Sequence, residues 1–508
     1  MLAWITRSPG IATGRDDAKY ILLARSLRHF HYREIWRIGV PPHGEYPPGF
    51  PAAIALWSRL FGERYDLLVA LNVLCSALAL LIVYRTIRAL ASEEAALLAL
   101  AALVVNPYLL ALAGGLESEP LFLLLNMGAL ALLARDAPGP AARAGAGALA
   151  IAAVLTRSAG LPLLAAIMVL WLFERRWRDV VLLGIASALT VGAWFRWTLH
   201  HAERAVGESY VGDAQLLVRN GPLMAIQRAG TRAMDYFVYR LNVVLPVPAF
   251  AGTAIDNVFF AALVLIGMTI GLAIFWRRWR VAALCLLGTA AMLMLWTWAS
   301  RRFLLPVLPL LVPCFILGIG ALAAWRRPTW RVPATALAAL VLIVTGAWRT
   351  GAIVHSRSGC VRGASPPSRA CVSGDPADVL AAAVWMRDSL PRDARVLSAK
   401  PEPVYYYSQR QGTALGAILA RDSSEMLSAL RRQGIGWILL GSVQSSEVSR
   451  LAPRLQVECS HLAVAAPFSP RTWVFRIRED GEPNDGAACA AVELYRQANR
   501  GRNFVRGE

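Results

Sequence analysis

The sequence has few charged residues and almost no lysine. Only 17% of its 508 residues are charged, against roughly 25% in soluble domains, and Lys19 and Lys400 are its only lysines. The hydrophobic fraction is 56% and the mean hydropathy is +0.47. This composition excludes an ordinary soluble enzyme, a disordered chain, a collagen and a coiled coil. It predicts an integral membrane protein.

Apolar segments separated by arginine clusters predict about ten transmembrane helices. We expect them near 64–84, 95–112, 120–134, 145–157, 160–173, 180–198, 253–276, 281–299, 303–324 and 333–349. The segments near 120–134, 145–157 and 160–173 are shorter than the roughly 20 residues that cross a hydrocarbon core, so broken or re-entrant helices are an alternative for them.

The arginines between the apolar segments indicate the orientation. If the residues before 64 face outward, alternate loops hold thirteen arginines and the opposite short loops hold only Arg157, Arg301 and Arg302. The thirteen are Arg85, Arg88, Arg135, Arg143, Arg175, Arg176, Arg178, Arg277, Arg278, Arg280, Arg326, Arg327 and Arg331. Because basic residues near span ends stay in the cytoplasm, the arginine-poor loops are expected on the periplasmic side of a bacterial inner membrane.

This topology predicts three regions in a multi-pass membrane protein. Residues 1–62 form a first periplasmic juxtamembrane segment, residues 63–350 form the transmembrane domain with a long periplasmic loop near 199–252, and residues 351–508 form a periplasmic domain. Residues 1–13 are too short and too polar to span a bilayer, yet the chain after them is expected outside. We therefore expect a first transmembrane helix that is missing from this version of the sequence; the alternative is an N-terminus translocated as it stands.

The C-terminal domain has the pattern of a small α/β domain. Segments 375–390 and 423–434 have apolar residues at helical spacing, and 395–399, 435–441 and 472–479 are typical of strands. The three tyrosines at 405–407 are expected as buried strand residues. Four cysteines in this domain suggest two disulfides in an oxidising compartment. Of the three pairings, we favour the local ones, Cys360–Cys371 and Cys459–Cys489.

Acidic residues mark the first periplasmic segment. Asp16 and Asp17 precede a helical pattern, where they are either a helix cap and dipole partner or carboxylates that accept or orient an incoming hydroxyl at the membrane surface. Glu45 and Tyr46 come before Pro47 and Pro48, whose fixed backbone suits the wall of a site.

Charged residues also lie at the mouths of later spans. Glu119, followed by an apolar run, is expected to face the interior, because carboxylates there are costly unless they face protein or a wet cavity. Glu117 is expected to be solvated. Arg301 and Arg302 begin a proline-containing span, where they either snorkel to the interface or hold a phosphate through their guanidinium fork. Arg157 is a weaker candidate of the same type.

These residues carry a resemblance to a known family. The strings are DDAKY, EYPPGFPAAIAL, LFG, LN, NP, SEPLF and RRFLLPVLPLL, in this order within residues 10–350. Their order and sidedness resemble the bacterial membrane glycosyltransferases of the protein-mannosyltransferase and aminoarabinose-transferase type (glycosyltransferase family 39-like). The resemblance implies the GT-C architecture, a polytopic helical membrane protein here joined to a small C-terminal extracytoplasmic α/β domain. It also implies transfer of a sugar from a polyprenyl-phosphate donor to an acceptor outside the membrane.

The resemblance also implies roles for individual residues. Asp16 falls on the catalytic carboxylate, Asp17 on its supporting neighbour and Glu119 on the acidic residue of the second loop. Glu45 falls on a position that binds a metal in the aminoarabinose branch, and Tyr46 replaces that branch's lysine, which argues against aminoarabinose as the sugar. The histidines expected on the same side, His43, His200 and His201, do not align with a metal ligand. No cofactor is certain, and a divalent metal is left open.

The implied reaction is a single displacement with inversion. An acceptor hydroxyl oriented by Asp16 attacks the anomeric carbon, and Arg301 or Arg302 stabilises the phosphate that leaves. The acceptor is a lipid, a glycan or a protein; membrane lipid is a further partner and nucleic acid is not expected. The rival functions are a transporter or flippase of lipid-linked sugars and a non-catalytic membrane scaffold. A transporter would place ionisable groups near mid-membrane, whereas here the candidates gather at one surface.

Overall fold

The computed structural model describes residues 1–11, 16–134, 137–201, 215, 219, 221–247, 254–296, 300–356, 360, 367, 371, 372, 374–419, 425–479 and 481–502. The first segment contains three helices, Leu2–Ile5, Asp17–Leu27 and Gly49–Phe61. The Asp17–Leu27 helix is buried on most sides, including Tyr20 and Leu23. It is therefore enclosed by other parts of the protein.

Each of the ten expected spans coincides with an apolar helix or helix pair. Their bounds are Tyr65–Leu90, Glu93–Val104 with Pro107–Ala113, Glu119–Leu132, Pro140–Thr156, Leu161–Phe173, Trp177–Ser187 continued to His201, Ala254–Arg278, Arg280–Leu295, Leu308–Arg326 and Arg331–Ser356. By length and composition, five of the described helices could cross a membrane, or six with the bent pair counted as one, and four more are shorter apolar helices. The chain is a polytopic helical membrane protein.

One of the expected spans is broken by a capping residue. The helices Glu93–Val104 and Pro107–Ala113 meet at an angle of 68°. Pro107 has no N–H to continue the helical ladder, and the Asn106 side chain accepts hydrogen bonds from the backbone N–H groups of Tyr108 and Leu109, at 3.0 and 3.1 Å. The second helix therefore starts anew, and its direction is set by this cap.

Glycines bring two of the later helices into contact. A Cβ atom added at Gly318, in Leu308–Arg326, would collide with the backbone oxygen of Gly267 in Ala254–Arg278. A Cβ at Gly271 would collide in the same way with the Cys314 carbonyl. Small residues at such crossings let helix backbones approach closely and gain van der Waals contact.

The long loop expected near 199–252 contains helices in its described part. Its helices are Gly221–Ala233, a π-helical turn Met234–Arg240 and Leu241–Val244. The remainder of this expected loop, apart from residues 199–201, 215, 219 and 245–247, lies outside the described residues.

The C-terminal domain is the expected small α/β domain. Its strands β1 (Val396–Leu397), β2 (Gly412–Thr413), β3 (Trp437–Leu440), β4 (Leu462–Ser469) and β5 (Thr472–Ile477) form one sheet in the order β2-β1-β3-β5-β4. Both β1 pairings are parallel and those of β5 are antiparallel. The helices are Asp375–Ser389, Pro401–Ser408, Gly416–Leu419, Met426–Arg432, Ala452–Val457 and Ala487–Ala498. Disulfides join Cys360 to Cys371 and Cys459 to Cys489, the local pairs favoured by the sequence.

The structure corrects two expectations about this domain. The tyrosines at 405–407 lie on the helix Pro401–Ser408 and not on a strand. Prolines in its first turn suit a helix start, and this outweighs the strand preference of the aromatic residues. The last transmembrane helix ends at Ser356, so it extends a few residues past the expected boundary at 350.

The domain and the first segment form a common body. The Tyr407 hydroxyl donates to the Ile11 carbonyl at 3.0 Å, and the Gly412 N–H donates to the Trp36 carbonyl at 2.9 Å. Their apolar residues share one core, in which Tyr20 and Phe50 pack with residues such as Met386. The domain therefore has a fixed position over the start of the Asp17–Leu27 helix.

Candidate active site

Ends of four helical elements bring the predicted charged residues together. Asp16 lies immediately before the helix Asp17–Leu27, Glu119 begins the helix Glu119–Leu132, and Arg157 follows the helix that ends at Thr156. Arg302 lies in a 3-10 turn, and its backbone N–H donates to the Ser300 hydroxyl at 3.2 Å. We call Asp16, Glu117, Glu119, Arg157 and Arg302 the acid–guanidinium cluster.

Arg302 is the centre of this cluster. Its Nη1 donates to Asp16 Oδ2 at 3.0 Å, its Nη2 donates to Glu117 Oε2 at 2.7 Å, and its Nε donates to Glu119 Oε1. One planar guanidinium thus contacts three carboxylates from distant parts of the chain. Such a fork holds each carboxylate in a defined direction, which a point charge does not.

Arg157 is a second cation in the cluster. Its Nη1 lies 3.1 Å from Glu119 Oε1 and donates to the Ser118 hydroxyl at 2.7 Å. The Tyr20 hydroxyl also contacts Ser118, at 3.0 Å, and so ties the Asp17–Leu27 helix to this turn. Arg157, the weaker candidate from the sequence, is therefore a full member of the cluster.

The cluster also corrects the expectation for Glu117. Glu117 is only 4% exposed and is paired with Arg302, so the prediction that it is solvated is wrong. Glu119 is fully buried, in agreement with the expectation that it faces the interior. A buried carboxylate keeps its charge when it is paired and hydrogen-bonded, and two guanidinium groups meet this need at Glu119.

Asp16 is held as a carboxylate by the cations around it. Burial by itself raises the pKa of Asp16, but the charges of Arg302, Lys400 and Lys19 outweigh it and hold this pKa well below its ordinary value. Asp16 is therefore ionised at neutral pH and is a weak proton acceptor. It remains well suited to orient a hydroxyl or to stabilise positive charge.

Lys19, Glu45 and Tyr46 form a neighbouring group. Lys19 Nζ lies 3.0 Å from Glu402 Oε1 and 3.5 Å from Glu45 Oε2, and 4.8 Å from the centre of the Tyr46 ring. Burial by itself lowers the pKa of Lys19, but Glu402, Tyr46, Glu45 and Asp16 together raise it well above its ordinary value. Lys19 is therefore a fixed positive charge between the two domains.

His43 is a structural residue beneath this group. It is fully buried, and its Nε2 accepts the Tyr46 backbone N–H at 2.9 Å. Its Nδ1 therefore carries the proton and donates to Glu34 Oε1 at 2.8 Å. The ring also stacks nearly parallel on Tyr46. His43 thus fixes the position of Tyr46 from within the protein.

These contacts decide how well a divalent metal fits. Both His43 nitrogens are used, and Glu45 is paired with Lys19. Within the described part of the chain, no group of three His, Cys, Asp or Glu residues could hold a metal ion. His200 and His201 end the helix Ala193–His201, where His201 Nδ1 contacts the Trp197 carbonyl. The donor set around Glu45 therefore does not fit the metal that the resemblance left open.

The other predicted residues lie close by but make different contacts. The Asp17 side chain is buried, and its Oδ1 accepts the Ala18 N–H at 2.9 Å. The Arg301 guanidinium lies over the Tyr108 ring, 5.3 Å from its centre. Of the two arginines left open by the sequence, Arg302 contacts the acidic residues of the cluster.

Three contributors to the site were not predicted. They are Lys19, Glu402 and Lys400, the last two at the start of the helix Pro401–Ser408. A signal for the lysines was present in the sequence, because a chain that otherwise uses arginine for its basic residues has lysine at these two positions alone. An apolar cavity of about 470 Å³ between Leu2, Val105 and Val354 contains none of the site residues.

A helical membrane bundle with a buried acid–guanidinium cluster at its helix ends, covered by a small α/β domain, has the GT-C fold of membrane glycosyltransferases. Residues 45–197 match the family model for dolichyl-phosphate-mannose-protein mannosyltransferase. No curated protein sequence matches the chain.

Solved structures support the same fold. The chain is similar to ArnT from Cupriavidus metallidurans in the apo state, with 14% identity, a TM-score of 0.57, and coverage of 94% of this chain and 95% of that chain. For ArnT bound to undecaprenyl phosphate the values are 14%, 0.55, 94% and 96%. For the oligosaccharyltransferase AglB from Archaeoglobus fulgidus, with an inhibitory peptide and a dolichol-phosphate, they are 13%, 0.55, 98% and 76%. The resemblance to GT-C glycosyltransferases expected from the sequence is confirmed.

Proposed function

We propose that this protein transfers a sugar, a hexose or a pentose, from a polyprenyl-phosphate donor to an acceptor outside the cytoplasm. The observation that carries the proposal is the contact of Arg302 with Asp16, Glu117 and Glu119 at one end of the membrane helices. A lipid donor places its reacting phosphate at that depth, where the polar headgroup meets the apolar helices. The match to the family model for dolichyl-phosphate-mannose-protein mannosyltransferase supports the same donor class. The similarity to ArnT bound to undecaprenyl phosphate supports it as well.

The proposed reaction is a displacement at the anomeric carbon. The acceptor hydroxyl oxygen forms a bond to this carbon while the bond from the carbon to the phosphate oxygen breaks, so that the electron pair leaves with the phosphate and the configuration inverts. Asp16 accepts a hydrogen bond from the attacking hydroxyl and aligns it. Because Asp16 is a weak proton acceptor, the hydroxyl proton passes finally to the leaving phosphate. Arg302 holds Asp16 in direction, and nearby cations stabilise the phosphate charge.

The proposed location is the bacterial inner membrane, with the cluster and the C-terminal domain on the periplasmic side. Thirteen arginines in one set of loops against three in the other support this orientation. The acceptor is a lipid, a glycan or a protein. A position of the C-terminal domain above Asp16 suits a role of this domain in selecting the acceptor.

A donor panel tests the proposal. Purified protein in phosphatidylcholine vesicles is incubated with radiolabelled polyprenyl-phosphate hexoses and pentoses and with a membrane extract as acceptor. One donor is expected to label a product. In Asp16→Asn this label should fall to background while the protein still inserts into the membrane and folds, because asparagine keeps an oxygen to accept the Arg302 hydrogen bond.

Asp66→Asn is the matched control. Asp66 also pairs with an arginine, Arg7, at 3.0 Å, but outside the cluster. Its variant is expected to keep transfer. Near-normal turnover by Asp16→Asn, or no transfer from any donor by a folded protein, would overturn the proposal.

A further inference from the structure

The two lysines of this chain lie on the two sides of the contact between the Asp17–Leu27 helix and the C-terminal domain. Lys19 lies on the helix Asp17–Leu27, and Lys400 lies directly before the helix Pro401–Ser408, which packs against it. Glu402, two residues after Lys400, lies 3.0 Å from the Lys19 ammonium. The 52 basic residues of the chain are otherwise all arginine. The position of both lysines at this one contact is therefore not explained by composition.

The arginines of the cluster are already committed. Arg302 is shared by three carboxylates, and Arg157 is used by Glu119 and Ser118. Lys19 is divided between Glu45 and Glu402. An anion that approaches Asp16 would have to displace a carboxylate from any of these cations, and breaking buried pairs is costly.

Lys400 differs from these cations. Among the described residues, no carboxylate lies within ion-pair distance of its ammonium group, and its side chain is half-buried. The helix that follows Lys400 packs against the helix that follows Asp16, and Glu402 in the first turn of one pairs with Lys19 in the first turn of the other. Lys400 and Asp16 therefore lie at the same end of this helix pair, and the Lys400 charge helps to lower the pKa of Asp16 and Glu402 against the effect of burial. A phosphate bound next to Asp16 therefore has one nearby cation that need not give up a partner.

We propose that Lys400, supplied by the C-terminal domain and flanked by Lys19, binds the phosphate of the lipid-linked donor beside Asp16. This inference rests on the proposed function and deepens it, since it makes the α/β domain a part of the donor site. Glu402 positions Lys19 by its ion pair, and an ammonium with three donors forms charge-assisted hydrogen bonds to phosphate oxygens. Removal of the domain would then abolish donor binding as well as acceptor selection.

Binding of lipid phosphate tests this inference without any transfer step. The protein in phosphatidylcholine nanodiscs is titrated with undecaprenyl phosphate, undecaprenol and inorganic phosphate, and the dissociation constant is measured by thermophoresis. Lys400→Met is expected to weaken undecaprenyl phosphate binding by about ten-fold or more, the loss of one charge-assisted contact, and Lys400→Arg is expected to restore it. Lys400→Met breaks no ion pair, so its fold should be intact by thermal unfolding.

Two further variants make the result specific. Arg387→Met removes an exposed cation of the same domain, paired with Asp388, and should bind like the wild type. Asp16→Asn should bind undecaprenyl phosphate at least as tightly as the wild type, although its transfer is lost. If Lys400→Met weakens binding while no donor is ever transferred, the inference stands and the proposed function fails. Wild-type affinity in Lys400→Met would overturn the inference, as would equal affinity for inorganic phosphate and undecaprenyl phosphate.

Discussion

Replacement of Arg302 by lysine should damage the site although the charge is kept. The Arg302 guanidinium reaches Asp16, Glu117 and Glu119 from separate nitrogens. A lysine ammonium is a single point and can pair well with only one of them. Glu119 still has Arg157, so Asp16 or Glu117 is left without its cation. We expect both stability and transfer to fall.

The size of the effect follows from the hydrogen bonds that a lysine cannot make. A hydrogen bond to a charged group contributes roughly 1.5–3 kcal/mol, and breaking a buried pair costs about 3–5 kcal/mol. Because 31% of the Arg302 side chain is exposed, solvent screens part of this energy. We therefore expect the free energy of unfolding to fall by an amount near the lower limit, about 3 kcal/mol. Transfer should fall by about 100-fold or more, since misplacement of a catalytic group by about 1 Å has that cost.

The assay compares Arg302→Lys with Arg25→Lys. Arg25 has a similar side-chain exposure, 29%, but it pairs with one carboxylate, Glu63, which a lysine can also reach. Thermal unfolding in detergent is followed by the fluorescence of the 17 tryptophans, and transfer is measured in vesicles. Arg302→Lys should unfold several degrees lower and be nearly inactive, while Arg25→Lys stays close to wild type. Equal behaviour of the two variants would refute the role given to the Arg302 fork.

Two more predictions follow from the site and the bundle. The surrounding cations lower the pKa of Asp16, so its stabilising ion pairs are complete above the ordinary value of 3.8 and are lost only as the pH falls well below that value. The pH profile of kcat/KM between pH 5 and 8 should therefore show no titration from Asp16. A rise of kcat/KM with pH near 7 that disappears in the Asp16→Glu variant would contradict this. Gly318→Leu should destabilise the bundle by about 1–3 kcal/mol, because any Cβ there meets the Gly267 carbonyl. The control is Gly351→Leu, since a Cβ at Gly351 meets nothing within 4 Å. Equal unfolding temperatures of the two variants would contradict the close contact of the helices.

The sequence predicted the elements whose signal is local. Apolar length identified an apolar helix or helix pair at each of the ten expected segments, and helical spacing identified Asp375–Ser389 and Met426–Arg432. Strand β4 was missed because its sequence, LAVAAPFS, has small residues and a proline in place of a clear alternation. The break at Asn106 and Pro107 was not predicted, because the segment 95–112 was expected as one span and the angle depends on the Asn106 cap.

The site was predictable only in part, because its charges pair across the fold. Glu119 could be assigned to the interior from the apolar residues that follow it. The burial of Glu117 could not, because it depends on Arg302, far away in the sequence. The contribution of Lys400 depends on the docking of a second domain over Asp16. Local spacing carries no information on such partners, whereas the resemblance to a family placed Asp16 and Glu119 together.

The fate of the donor lipid tests the central claim most directly. Vesicles that contain the protein, a radiolabelled lipid-linked sugar that it uses, and an acceptor are sampled over time for free lipid phosphate, glycosylated acceptor and intact donor in each leaflet. A transferase releases one lipid phosphate for each sugar that appears on the acceptor, and this release should vanish in Asp16→Asn but not in Asp66→Asn. Movement of intact donor across the bilayer with no lipid phosphate released would contradict the account and identify a transporter.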